Sequence, residues 1–160
     1  MNKVYLLVGG NLGDRRSLLN QSKNKIKNKI GEIIKESSVY ETTPWGFKAD
    51  QNFLNQVIII KTNFSSSDVL DICLNIENLL GRKRNSNGYQ SRTMDIDILF
   101  YNDEIIQEKD LIIPHEKLHQ RRFTLEPLVE ITPDYVHPRL KMTVLDLLNN
   151  CEDNSQVIKL

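Results

Sequence analysis

Ser91-Arg92-Thr93-Met94-Asp95-Ile96-Asp97-Ile98-Leu99-Phe100-Tyr101 is the stretch on which the rest of the chain turns. From Met94 to Phe100 it predicts a strand, with Met94, Ile96, Ile98 and Phe100 on one face at period two. Asp95 and Asp97 share the opposite face, about 7 Å apart at Cα. Two carboxylates that close repel unless a cation stands between them. A hard divalent ion held by one or two carboxylates plus substrate phosphates fits, and Mg²⁺ is bound in this way. The alternative is a solvated strand face that merely carries acids, since an Asp-x-Asp pair alone is a weak signal. Its company weighs against that: Arg82, Lys83 and Arg84 lie just upstream, and Arg92 stands at the mouth of the strand. Metal-holding acids beside guanidinium groups are the parts needed for phosphoryl-type transfer.

Working outward, the chain of 160 residues suits one domain spanning 1–160, with a core of useful size. Lys+Arg and Asp+Glu are 21 each, so no global basic field is present to hold nucleic acid. Cys73 and Cys151 are far apart and have neither metal-ligand nor redox spacing. No signal peptide opens the sequence and no apolar run is long enough for a bilayer, so a cytoplasmic protein without membrane partners is expected. A monomer is the default expectation.

Val4 to Val8 is a short, nearly continuous apolar run, which predicts a central strand buried on both faces. It is expected to stop at Gly9-Gly10-Asn11-Leu12-Gly13-Asp14, with the glycines making a turn and Asp14 capping a helix. That helix carries Leu18, Leu19, Ser22, Ile26 and Ile30 as its stripe. Ile33 to Thr42 reads as a second strand. Thr43-Pro44-Trp45 then opens a Pro/Gly-marked loop whose aromatics either pin it to the core or stack on a flat ligand. A third strand runs from Phe53 to Thr62, with Phe53 and Asn55 on one face at the loop end. Ser65 and Asp68 have approximate capping-box spacing before a helix with Val69, Cys73, Ile76 and Leu80 as its stripe. Gly81 is a natural residue to follow the helix. Glu77 lies one turn earlier, where an acid is ordinarily solvated. Arg84 to Ser91 is polar, contains glycine and is expected to move on binding.

After Tyr101, Asn102-Asp103 predicts a hairpin, with Ile105-Ile106 as its return. Pro114 ends a short apolar segment and leaves His115 at its lip. A helical turn is expected around Leu125, Leu128 and Val129, and a last short helix from Thr143 to Leu148. Hairpins mixed with crossovers predict an α+β sandwich, with an antiparallel or mixed sheet, rather than a doubly wound one.

Several motifs in order resemble the 6-hydroxymethyl-7,8-dihydropterin pyrophosphokinase family of folate biosynthesis. They are Gly9-Gly10-Asn11-Leu12-Gly13, Tyr40-Glu41-Thr42-Thr43-Pro44, Phe53-Leu54-Asn55, and Glu77 with Gly81-Arg82-Lys83-Arg84. Arg92-Thr93-Met94-Asp95-Ile96-Asp97-Ile98, Pro114-His115 and Arg121-Arg122-Phe123 complete the set. The resemblance implies a ferredoxin-like α/β sandwich with a mostly antiparallel sheet flanked by helices. It implies transfer of the β,γ-diphosphate of ATP to the pterin hydroxymethyl group, with release of AMP. In that reading Asp95 and Asp97 hold two Mg²⁺ ions, and Arg82 and Arg92 act with them in catalysis. Glu77, Arg82, Arg84, Arg92, Ile98, His115 and Arg121 would form the ATP side. Thr43, Pro44, Trp45, Phe53, Asn55, Asp95 and Phe123 would form the pterin side, the ring stacking between Phe53 and Phe123. Tyr89, Leu74 and Asp110 depart from the family pattern and bear on nucleotide contacts. Two rivals share part of this pattern: another two-metal enzyme such as a phosphodiesterase, and a ligand-sensing domain of the same fold.

Overall fold

The computed structural model of the chain describes residues 1–43, 51–81 and 94–160. The first strand, β1 (Asn2–Gly10), leads into helix α1 (Arg15–Lys29). Next come β2 (Glu32–Glu36), β3 (Tyr40–Thr42), β4 (Phe53–Thr62) and helix α2 (Ser66–Leu79). The acidic strand β5 (Asp95–Tyr101) is followed by the short strands β6 (Ile106–Gln107) and β7 (Ile112–Ile113). Helices α3 (Arg122–Ile131) and α4 (Val144–Asn149) and strand β8 (Val157–Lys159) complete the chain.

The main sheet has the order β5-β1-β4-β3-β8, with β2 also pairing with β4. Every pairing within it is antiparallel. The sequence of β1 explains its central place, because alternate residues serve two cores. Val4, Leu6 and Val8 pack with Leu19 and Ile26 of α1 and with Val69, Cys73 and Ile76 of α2. Tyr5 and Leu7 pack with Leu125, Leu128 and Ile131 of α3 and Val144 and Leu147 of α4. Helices therefore cover both faces, as an α+β sandwich of ferredoxin-like order requires.

The two expected caps form: Asp14 accepts from the Ser17 N–H at 3.1 Å and Ser65 Oγ from the Asp68 N–H at 3.2 Å. Thr143, expected as the first residue of the last helix, caps it instead, its Oγ1 accepting from the Asp146 N–H at 3.1 Å. Gly81 has φ +89°, a conformation that Cβ disfavours.

Four expectations are corrected. The strand predicted for Ile33–Thr42 is two strands, because the chain leaves and rejoins β4 and Ser37 bonds to the Val57 backbone between them. Ile105-Ile106 does not return along β5; Ile106 pairs with Ile113 in a separate two-stranded sheet. Phe100 does not share a face with Met94, Ile96 and Ile98. A register shift opposite Tyr5/Leu6 turns both Leu99 and Phe100 toward α3 and α4. Gly9 and Gly10 are not turn residues, since β1 runs through Gly10. Gly13, with φ +69°, makes the turn instead. The strand β8 was not expected at all.

Candidate functional site

The register of the sheet sets one line of residues across four strands. Asp95 pairs with Gly9, Gly9 with Asn55, and Asn55 with Tyr40. Strand parity turns all four toward α3, because Asn55 shares a face with Val57 and Ile59, and Gly9 with Leu7. Asp97 and Asp95 likewise share this face. Gly9 lacks a side chain, so Asp95 and Asn55 stand about 10 Å apart at the backbone with only Gly9 between them. A Cβ on Gly9 would come within 2.6 Å of the Leu54 carbonyl oxygen and would also run into the Asn55 amide. The glycine therefore serves close approach, a role its place in an apparent turn signal concealed.

Phe53, two residues before Asn55 on β4, opens the same face and is half-buried. Phe123, in the first turn of α3, approaches from the helix layer and packs against that core. The Arg121 guanidinium lies over the Phe123 ring, 5.6 Å from its centroid. Thr43 is exposed at the end of β3.

Along the outer side of β5 is a cavity of about 590 Å³. Glu77, Asp95, Asp97, Ile98 and His115 all line it, as do Leu74 and Asp110, two of the three positions at which the sequence departs from the pattern of the resembled family. Arg121 is not part of its lining. Asp71, Lys109 and Glu116 also line the cavity, and sequence reading did not single them out. The charge is one-sided: Asp71, Glu77, Asp95, Asp97, Asp110 and Glu116 face Lys109 as the single lysine or arginine among the described lining residues. A polyphosphate needs added cations to enter there.

Glu77 is buried at 1% exposure and is no surface acid. Its Oε2 accepts from the Ile96 N–H at 2.8 Å, satisfying an amide of the edge strand between the two aspartates. His115 lies farther along that edge, its N–H donating to the Leu99 carbonyl at 3.0 Å. Its Nδ1 accepts from the Lys117 N–H at 3.2 Å, so the neutral ring carries its proton on Nε2. Burial first, and then the nearby Arg121 charge, push the His115 pKa down to about 4. The imidazole is therefore a neutral hydrogen-bonding group at pH 7.

Pro44, Trp45, Arg82, Arg84, Tyr89 and Arg92 lie outside the described residues, as does the Arg84–Ser91 segment expected to move. Among the described residues, no group of three or more His, Cys, Asp or Glu stands ready to hold a metal. Asp95 and Asp97 are half-buried hard-oxygen donors two residues apart on one strand, and both line the acidic cavity. That donor set fits Mg²⁺, which draws its other ligands from water and substrate phosphates.

Residues 5–133 match the family described as 7,8-dihydro-6-hydroxymethylpterin-pyrophosphokinase (HPPK). The 2-amino-4-hydroxy-6-hydroxymethyldihydropteridine pyrophosphokinase of Porphyromonas gingivalis is 40% identical over 138 residues, covering 84% of this chain and 93% of that one. The enzyme of the same name from Aquifex aeolicus is 41% identical over 138 residues, covering 86% and 85%. The solved HPPK-DHPS structure of Plasmodium falciparum superposes with a TM-score of 0.77 at 20% identity. That match takes in 93% of this chain but 43% of that longer one, and it bears on the fold.

Proposed function

The chain belongs to the 7,8-dihydro-6-hydroxymethylpterin-pyrophosphokinase family, and on that premise we propose that it transfers the β,γ-diphosphate of ATP to the hydroxymethyl group of 6-hydroxymethyl-7,8-dihydropterin, a step of folate synthesis. The hydroxymethyl oxygen forms a bond to the β-phosphorus. The bond from the β-phosphorus to the bridging oxygen breaks, the hydroxyl proton is lost, and AMP leaves with that oxygen. The observation that carries this reading is the position of Asp95. It stands across one strand from Asn55, with Gly9 between them in the sheet, and also lines the acidic cavity beside Asp97. One carboxylate thus stands where a planar ligand on the α3 face and a polyphosphate along β5 would meet.

Asp95 and Asp97 would hold two Mg²⁺ ions. Bound there, Mg²⁺ neutralises phosphate charge and makes the attacking hydroxyl more acidic. Glu77 fixes the backbone between the aspartates through Ile96. His115 offers Nε2–H to the nucleotide without adding charge, and Ile98 supplies apolar wall. On the other side, Phe53 and Phe123 would flank the pterin ring, and Asn55 would pair with its amide edge. Arg82, Arg84 and Arg92 belong to this reading by their place in the sequence, as phosphate contacts opposing the carboxylates. Arg121 joins the two sides, being next to His115 electrostatically and over Phe123 sterically. Thr43, Pro44 and Trp45 would border the pterin.

The test is AMP release by the purified chain. It should require ATP, Mg²⁺ and the dihydropterin together, and should stop when a chelator removes the metal. AMP release at the full rate without dihydropterin would point to a phosphohydrolase and overturn the reading.

A further inference from the structure

We propose that Asp153, in the C-terminal tail, is a positioning residue for the pterin site, holding the first turn of α3 in the place from which Phe123 acts. This rests on the reading of Phe123 as a pterin contact. Residue 153 lies beyond the 5–133 segment that the family match covers.

Helix α3 begins without a side-chain cap of its own, since Arg121 at its N-cap makes no such bond. The tail supplies one from a distance. Asp153 Oδ2 accepts from the Arg122 N–H at 3.0 Å, and the Arg122 Nε donates to the Asp153 carbonyl oxygen at 2.9 Å. Arg122 Nη1 also donates to Glu126 at 2.8 Å, which leaves its side chain little freedom. The second carboxylate oxygen of Asp153 accepts from the backbone N–H of Ser155 at 2.9 Å and from its hydroxyl. Both oxygens of the carboxylate are therefore engaged, one on the helix and one on the tail.

The tail then enters the sheet. Val157 pairs with Thr42, and Glu41 with Ile158, so β8 lies along β3. Thr42 immediately precedes Thr43 and the stretch assigned to the pterin side. Residues 153–157 thus connect the helix turn that carries Arg121 and Phe123 with the strand end leading to Thr43. A ring sandwiched between side chains from two layers depends on the spacing of those layers. Misplacement by about 1 Å is enough to cost much of the rate. The body of α3 does not depend on Asp153, because Leu125, Leu128 and Ile131 are anchored in the core. Losing the carboxylate should therefore loosen the first turn and leave the helix in place.

The experiment compares Asp153→Ala, Asp153→Asn and Phe123→Ala in the full chain. Three quantities are read: affinity for an unreactive ATP analogue with Mg²⁺, affinity for the dihydropterin in its presence, and hydrogen exchange at the Arg122 amide. Nucleotide binding also reports that each variant is folded. Asp153→Ala should weaken pterin binding about tenfold and speed exchange at Arg122, with nucleotide affinity changed no more than about threefold. Asp153→Asn, which keeps one acceptor oxygen, should lose about threefold in pterin affinity. Faster exchange at Arg122 with unchanged pterin affinity in Asp153→Ala would overturn the positioning role while leaving the site intact. If Phe123→Ala also left pterin binding unchanged, the site reading itself would fall, and this inference with it.

Discussion

The two sides of the site are built differently. The cavity along β5 is made from a compact part of the chain, Leu70 to Glu116, with its acids on one helix, one strand and the segment after it. The proposed pterin side draws on Gly9 from β1, Asn55 from β4, Asp95 from β5 and Phe123 from α3, whose first turn is bonded to Asp153 of the tail. The first is defined by side-chain charge, with Lys109 the single lysine or arginine among its described lining residues. The second depends on register, on an absent Cβ and on the spacing between a sheet and a helix. The contrast predicts that variants on the nucleotide side will change charge-dependent steps. Variants on the proposed pterin side will change shape and affinity for the flat substrate.

The largest effect is expected where the sides meet. Asp97→Ala should lower kcat/KM by at least about 100-fold, the scale of one lost electrostatic contact to the transition state. Steady-state kinetics at saturating Mg²⁺ checks this, and a loss below tenfold would detach Asp97 from the chemistry. Gly9→Ala should come next. A Cβ 2.6 Å from the Leu54 carbonyl must displace backbone, so stability should fall by about 1–3 kcal/mol. Denaturant unfolding measures that, and binding assays should show pterin affinity falling while the nucleotide analogue still binds. Equal losses for both ligands would erase the distinction between the sides.

Glu77 sharpens the comparison from the other direction. Glu77→Leu leaves the buried Ile96 N–H without an acceptor and should cost about 1–3 kcal/mol of stability, whereas Glu77→Gln retains an acceptor oxygen and should cost less. Identical unfolding curves for the two variants would show that the Ile96 bond contributes nothing.

The smallest effect concerns pH. Burial, as the leading cause, holds both His115 and His137 down to about 4 from the ordinary 6.5. Between those values the unfolded chain binds more protons than the folded one, so stability is full above about pH 6.5 and declines as pH falls toward 4. Proton NMR of the ring hydrogens should show both histidines titrating well below 6. A midpoint near 6.5 for His115 would contradict the burial that lowers it.

The same contrast explains what the sequence made legible. β4 begins and ends at Phe53 and Thr62 as periodicity and loop punctuation indicate, and the α2 stripe of Val69, Cys73, Ile76 and Leu80 is buried as expected. Those signals are local. Asp95 and Asp97 could be picked out because period two puts them on one face of a single strand. The role of Gly9 could not, because it depends on the close approach of Leu54 and Asn55 in a neighbouring strand more than forty residues away. Glu77 looked solvated because the amide it satisfies belongs to β5. β8 carries only three residues and forms by pairing with β3, whose sequence is more than a hundred residues earlier. The alternation from Met94 to Phe100 failed at its last member because one extra residue in β5 resets the faces. The family resemblance supplied the site list that local patterns could not assemble.

The most direct test of the diphosphate transfer is phosphorus NMR of the products formed from ATP, Mg²⁺ and 6-hydroxymethyl-7,8-dihydropterin. The account predicts AMP together with a pterin carrying two coupled phosphorus nuclei. ADP with a pterin carrying a single phosphorus would contradict it.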